Sequence, residues 1–118
     1  MTKTVTADDL ASQRYVLESV DGVAFANKER TPEISFDATM RVAGQVCNRF
    51  MGQGTLRDGV LTVPQMASTM MLCADPKLNA MEQEFAKLLR DGARLQLDGD
   101  NLSLSNDLTT YTFLRDAR

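Results

Sequence analysis

The chain has 118 residues, of which 43% are hydrophobic and 25% are charged, and its formal net charge is −3. This length and composition fit one globular domain with a single core. The acidic balance disfavours nucleic acid as a partner, because phosphate binding needs a dense cationic face. The chain contains no histidine, which excludes a Ser-His-Asp triad, a Cys-His dyad and a histidine-ligated metal site. No apolar run approaches the roughly 20 residues of a membrane-spanning helix.

The first half of the chain predicts short β-strands. Apolar and polar residues alternate along residues 14–20, 33–37 and 40–46, a period-two pattern that is typical of strands with one buried face. The side chains predicted to share one face of a strand are Tyr15 with Leu17, Ile34 with Phe36, and Met40 with Val42 and Val46. Asp58 and Gly59 predict a hairpin, because they tolerate the positive φ angles of a tight primed turn.

Residues 75–92 predict a helix. The apolar residues there recur at the three- and four-residue spacing of a single helical stripe; they are Leu78, Met81, Phe85, Leu88 and Leu89. Asp75 is a suitable N-cap, Pro76 suits the first helical position, and Gly92 suits the C-terminal cap. Glu82 and Glu84 are assigned to the solvated side of this helix.

Strand patterns resume after the helix, in residues 94–98, 102–104 and 110–114. The side chains predicted to point inward are Leu95, Leu97, Leu102, Leu104, Tyr111 and Phe113. Each strand has one polar face, which indicates an antiparallel sheet that is wet on that side. The predicted fold class is therefore α+β, a small, mostly antiparallel, barrel-like β-sheet with one α-helix packed against it.

Two cysteine-containing segments resemble the signature of a known family. Residues 44–52, GQVCNRFMG, resemble the G-x-x-C-N-x-F/Y-x-G block of the META domain, and residues 66–73, MASTMMLC, resemble its second block, which ends in Thr-x-Met-x-Cys. The resemblance is strongest to the heat-inducible, HslJ-like bacterial members. It implies a META domain over residues 12–118, preceded by a disordered or non-native segment over residues 1–11. The motif residues that it marks as structural are Gly44, Asn48, Phe50, Gly52, Thr69 and Met71.

The same resemblance implies a function. HslJ-like proteins are exported, heat-inducible and associated with antibiotic tolerance, and the family has no established enzymatic activity. We therefore expect a non-enzymatic stress protein with no catalytic residue, cofactor or metal, acting through a binding or structural role. Its expected location is the periplasm or the periplasmic side of the outer membrane, where an N-terminal lipoprotein signal absent from this sequence would anchor it. The expected partner is an unidentified envelope protein or a lipid.

Two alternative functions remain open. The first is a small barrel whose apolar pocket binds a lipid or a lipoprotein tail, which a continuous pocket lined by aliphatic and methionine side chains would favour. The second is a thiol-based enzyme, which would need an exposed cysteine of low pKa. A filled core would favour the non-enzymatic stress protein.

Cys47 and Cys73 are compatible with three states. In an oxidising compartment they would form a disulfide; otherwise they are redox thiols or buried free thiols. The redox hypothesis is the weakest of the three, because the spacing is not Cys-x-x-Cys and no histidine is present to lower a thiol pKa. A disulfide requires Cα atoms roughly 4.4–6.8 Å apart, and we predict a separation in that range.

Other residues near the cysteines also have two interpretations. Asn48 and Arg49 either serve the backbone groups left unpaired where the strand breaks or form the polar end of a ligand site. Met66, Met70 and Met71 either fill gaps in the core or bind Cu(I) as soft thioether ligands.

Overall fold

The computed structural model describes residues 4–26, 31–70 and 73–116. Within these ranges the elements are α1 (Ala7–Leu10), β1 (Gln13–Val20), β2 (Val23–Ala24), β3 (Glu33–Phe36), β4 (Arg41–Gln45), β5 (Arg49–Gln53), β6 (Thr55–Arg57), β7 (Val60–Thr62), β8 (Met66–Ser68), α2 (Pro76–Asp91), β9 (Ala93–Asp98), β10 (Asn101–Ser105) and β11 (Thr110–Arg115).

The described strands form one antiparallel sheet. Its order is β6-β7-β9-β10-β11-β1-β3-β4-β5-β8, and β2 pairs only with β1. The sheet curls into a half-barrel with β6 and β8 at its two edges, and α2 packs against it. The predicted fold class is therefore confirmed.

Strand β1 lies near the middle of this sheet, between an early and a late strand. Tyr15 in β1 is opposite Ile34 of β3 on one side and Arg115 of β11 on the other. Arg14 makes ion pairs with Glu33 of β3 and with Asp116, which follows β11. The centre of the sheet thus joins the beginning and the end of the domain.

The N-terminal segment differs from the expectation of disorder over residues 1–11. Residues 7–10 form α1, and both Val5 and Leu10 are buried in the core. Asp9 accepts hydrogen bonds from the backbone N–H and the hydroxyl of Thr6, both at 3.0 Å, which close the first turn. Although this segment is mostly polar, Val5 and Leu10 pack into the core, so residues 4–11 are part of the domain.

The two strongest local predictions are confirmed. Asp58 and Gly59 have φ values of 53° and 77° and join β6 to β7, as a primed turn requires. The helix runs over Pro76–Asp91, where the Asp75 side chain accepts a hydrogen bond from the N–H of Lys77 at 2.9 Å. Gly92 ends the helix with a φ of 118° and donates its N–H to the carbonyl of Leu88.

The core centres on the apolar side of α2. Phe85 lies in an aromatic cluster in which its ring centroid is 5.1 Å from that of Tyr111, 5.8 Å from that of Phe113 and 6.1 Å from that of Phe50. The predicted core-facing side chains of the strands and of the helix are buried, except Leu97 and Met81, which are half-buried against the core. The helix therefore fills the open side of the curled sheet.

Candidate functional site

A disulfide joins the two cysteine blocks. Cys47 and Cys73 are bonded, and their Cα atoms are 5.9 Å apart, inside the predicted range. Both residues are buried. Because the chain has two cysteines and both are in this bond, the hypothesis of a reactive, exposed thiol has no group to support it.

Glu82 of α2 holds the segment between β4 and β5. Strand β4 ends at Gln45 and β5 begins at Arg49, so the N–H groups between them leave the sheet. The Glu82 carboxylate accepts hydrogen bonds from the N–H of Cys47 at 3.1 Å, from the N–H of Asn48, and from Asn48 Nδ2 at 2.8 Å. One side chain thus serves several donors that would otherwise lack a partner in a poorly solvated place.

Asn79 holds the second cysteine block in the same way. Its side chain accepts the N–H of Cys73 at 3.1 Å and donates Nδ2 to the carbonyl of Cys73 at 3.0 Å. The Thr69 hydroxyl donates to Asn48 Oδ1 at 2.9 Å and accepts the N–H of Arg49 at 3.1 Å. We call this set of four side chains the polar clamp; it consists of Asn48, Thr69, Asn79 and Glu82.

The sequence alone did not reveal the helix half of this clamp. Glu82 was assigned to the solvated side of α2, which is wrong because its carboxylate is half-buried and bonded to the cysteine segment. The available signal was position: Glu82 precedes buried Leu89 by seven residues, which places both on nearly the same side of the helix. Glu84 is exposed, as expected.

Asn48 is bonded within the polar clamp and also lines the edge of a groove described below. It is the one polar residue buried in the described part of the chain, with 5% of its surface exposed. Its side chain bonds to Glu82 and Thr69, while Glu82 takes the backbone N–H groups at the strand break. Arg49 next to it is exposed.

The motif glycines allow two close approaches. A Cβ atom on Gly44 would lie 2.6 Å from Phe50 Cζ, and one on Gly52 would lie 2.7 Å from Val63 Cγ1. Any side chain there would push Phe50 or the β7–β8 connection out of place. Met71, the remaining motif residue, lies outside the described residues.

A groove of about 810 Å³ lies between α2 and the strands β5 and β8. We call it the helix groove. Its apolar floor consists of Val46, Phe50, Met66, Phe85, Ala86 and Leu89, and the four residues of the polar clamp also line it. Its helix-side rim is polar and charged and consists of Gln83, Glu84, Lys87 and Arg90. Of the methionines weighed as copper ligands, Met66 is half-buried in this floor and Met70 is 92% exposed at its rim.

One edge of β8, which borders this groove, has no partner strand among the described residues. Thr69 donates its N–H to the carbonyl of Arg49 at 3.0 Å, so these two residues form a hydrogen-bonded pair beside β5. Because such pairs alternate with non-bonded pairs in an antiparallel ladder, the N–H and C=O groups of Met66 and Ser68 point away from β5. No backbone partner for these groups occurs in the described ranges, and both residues line the groove.

Two further features concern metals and membranes. In residues 4–26, 31–70 and 73–116, no three His, Cys, Asp or Glu side chains are grouped closely enough to hold a metal ion. None of the helices in the same ranges is long and apolar enough to span a bilayer.

Solved structures share this fold. One NMR structure superposes with a TM-score of 0.84 at 39% sequence identity, covering 93% of this chain and 94% of that chain. A second, of a protein from Burkholderia xenovorans, superposes with a TM-score of 0.77 over 99% of this chain and 90% of that one. At 24% identity, the second supports the fold alone.

Sequence comparison agrees with the structural likeness. A heat shock protein of Escherichia coli (strain K12), HslJ, is 39% identical over 109 residues, which are 92% of this chain and 78% of that protein. The family model described as the META domain matches residues 8–118, which include α1 from its second residue, both cysteine blocks and every described strand. The chain therefore belongs to the META domain family.

Proposed function

We propose that this chain is a non-enzymatic stress-response protein of the cell envelope that acts by binding a partner in the helix groove. The observation that carries the proposal is the groove itself, with about 810 Å³ of space, an apolar floor and a polar rim. Ligand sites in proteins commonly enclose roughly 300–1,000 Å³ and combine these two kinds of lining. Because the side chains beneath the groove belong to one buried hydrophobic cluster, we place the ligand on the core rather than inside it.

The stress role follows from the related protein. The 39% identical relative is named a heat shock protein, and we extend that role to this chain. Antibiotic tolerance, implied by the resemblance of residues 44–52 and 66–73 to the family blocks, is part of the same proposal. In this view the domain protects the cell by occupying or holding a partner, without turnover of a substrate.

The envelope location is supported by the buried disulfide. Disulfides persist in oxidising compartments such as the bacterial periplasm and are rare in the cytosol. The bond between Cys47 and Cys73 also connects the two blocks that line one end of the groove. We therefore place the protein in the periplasm or on the periplasmic side of the outer membrane, where a lipid anchor would hold it.

A second candidate is the binding of a lipid or lipoprotein tail. The observation that favours it is the floor of the groove, where Phe50, Met66 and Leu89 offer apolar surface. Native mass spectrometry of protein purified from its own envelope tests this candidate. A retained mass equal to a lipid would support it, and protein that retains no lipid under mild release would count against it.

The main test blocks the groove in the living cell. Ala86 lies in the groove floor, and Ala67 lies on β8 but is not part of the groove lining. In a host strain that lacks the gene, Ala86→Trp should fail to restore survival of heat and antibiotic exposure, whereas Ala67→Trp should restore it. Equal rescue by both variants, at equal protein levels, would show that the groove does not carry the function.

A further inference from the structure

The groove borders a sheet edge that has no partner strand among the described residues. Strand β8 pairs with β5 on one side, the backbone groups of Met66 and Ser68 point to its other side, and both residues line the helix groove. Edge strands of this kind pair readily with another extended chain unless they are covered. In the described structure, β8 is the last strand of its side of the sheet, so an added strand would continue the curl of the barrel.

We infer that the helix groove binds an extended polypeptide segment, which adds as a strand to the open edge of β8. This inference rests on the proposed function, because it takes the groove as the binding site and names the class of partner. The main-chain groups of the segment would bond to Met66 and Ser68, as in other cases of strand addition. Its inward side chains would contact Phe50 and Leu89 in the floor.

The dimensions of the groove set the length of the segment. The helix residues along its wall run from Asn79 to Arg90. At about 1.5 Å per residue of helix, this wall is roughly 16 Å long. An extended chain rises about 3.3 Å per residue, so the groove accommodates about five residues. Because alternate side chains of a strand face one way, two or three of the five would be apolar.

The rim charges set the preferred ends of the segment. Lys87 is ion-paired with Asp91 at 2.6 Å, whereas Arg90 has no carboxylate partner within the described ranges and lines the groove. Glu84 lies six residues earlier on the same helix-side rim and likewise has no ion pair in that part of the chain. A segment with an acidic residue near Arg90 and a basic residue near Glu84 would therefore match the groove, and its affinity should fall with salt.

An acyl chain matches these features less well. It would fill the apolar floor but offer no hydrogen-bond donor or acceptor to the polar backbone edge of β8. A polypeptide suits both, because its side chains can contact the floor while its own N–H and C=O groups bond to the edge. The edge of β8 thus decides between the two occupants.

The test uses the whole protein and a synthetic probe. The probe is a fluorescent peptide of about seven residues with alternating leucine and serine, one lysine end and one aspartate end, and blocked termini, made in both charge orders. Fluorescence anisotropy should give saturable binding by at least one order. N-methylation of the peptide nitrogens on one alternating set should weaken binding by about tenfold per lost hydrogen bond, and methylation of the other set should not. Equal effects of both sets, or no binding by either order, would overturn strand addition.

Two variants at one position provide a matched control. Ser68→Pro removes the N–H that faces the groove and keeps the β5 side of the ladder intact, because proline is tolerated where an edge N–H points outward. It should weaken probe binding by about tenfold, whereas Ser68→Ala keeps the backbone N–H and should weaken binding much less. If both variants bind equally, with unchanged unfolding midpoints, the inference is wrong. The methylation series uses the unaltered protein, so it decides the matter even if Ser68→Pro fails to fold.

A lipid arm separates this inference from the second candidate function. Direct binding of lysophosphatidylglycerol that is equal in wild type and in Ser68→Pro, while the peptide binds neither, would assign the groove to lipid. Loss of stress survival in Ala86→Trp together with no peptide binding would leave the proposed function standing and remove only the polypeptide partner. Peptide binding by wild type together with normal stress survival of Ala86→Trp would support the polypeptide partner and contradict the proposed function.

Discussion

Strands β9, β10, β11 and β1 contain five to eight residues each, whereas β8 contains three. The long strands bury apolar faces against α2, so hydrophobic contact adds to the ladder hydrogen bonds that join them. The short strand β8 buries little, and its neighbourhood is held by the disulfide and the polar clamp. The comparison teaches that the domain uses specific, directional bonds where its sheet ends, and that the space left beside them is the groove.

The largest expected effect concerns the side of the molecule held by packing. Phe85→Ala should lower the free energy of unfolding by about 3–5 kcal/mol, because it removes the centre of the aromatic cluster and leaves a cavity. Urea denaturation measures the loss. Gln83→Ala, on the exposed side of the same helix, should change stability by less than about 0.5 kcal/mol. A loss below about 1 kcal/mol at Phe85 would contradict this division of the molecule.

The next effect concerns the side held by directional bonds. Replacing both cysteines by alanine should cost about 3–4 kcal/mol, the chain-entropy value for a separation of 26 residues. The melting temperature should fall while the far-ultraviolet circular dichroism spectrum stays the same. Hydrogen exchange should rise near β8 much more than in β10. A uniform rise across the sheet would show that the two sides are not separate.

Stability at alkaline pH tests the burial of Tyr111 in the core. Burial raises the pKa of Tyr111 to about 12, and the nearby charges of Glu84 and Asp21 add to the effect. The unfolded chain loses the phenol proton near pH 10, before the folded protein does. Stability contributed by the neutral phenol is therefore fully present below pH 10 and is lost as the pH rises towards about 12, by roughly 2–3 kcal/mol.

Tyr111→Phe is the variant that isolates this titration. It should lose less stability than wild type between pH 10 and 12, in denaturant midpoints recorded at each pH. Tyr15, whose pKa burial also raises, remains in both proteins and adds the same slope to each. Parallel curves for the two proteins would show that the Tyr111 hydroxyl is solvated after all.

The smallest effect tests the clamp directly. Glu82→Gln places an amide nitrogen against Asn48 Nδ2 or against the N–H groups at the strand break, and should cost about 1–3 kcal/mol. Glu84→Gln changes the same charge at an exposed position of the same helix and should cost less than about 0.5 kcal/mol. Equal urea unfolding midpoints for the two variants would show that Glu82 does not stabilise the clamp.

Much of the fold was predictable, because local patterns carry it. The apolar stripe and the caps at Asp75 and Gly92 predicted α2 to within a residue or two, and the Asp58-Gly59 pair predicted the β6–β7 hairpin. Inward faces such as Leu102 and Leu104 followed from alternation. The strand order could not be predicted in this way. The pairings of β7 with β9 and of β5 with β8 join strands that are distant in sequence, and no local pattern encodes them.

The site was less predictable than the fold. The cysteine blocks indicated where it lies, but the roles of Asn79 and Glu82 depend on which backbone groups the strand break leaves beside α2. Helical periodicity predicts which side of the helix a residue lies on, but it does not predict which group that residue contacts. The groove is a gap between elements, so it corresponds to no pattern of residues. Val5 and Leu10 were missed because two apolar residues in a polar segment give no periodic signal.

The position of β1 constrains the order in which the domain can assemble. Arg14 bonds to Glu33, 19 positions away, and to Asp116, 102 positions away. Closing the longer loop costs about 1.5 kcal/mol more in chain entropy than closing the shorter one, and it requires nearly the whole polypeptide. A ribosome that still holds the last strand would therefore keep β11 from pairing with β1. That side of the sheet can close only when synthesis is complete, and contacts so distant in sequence slow folding.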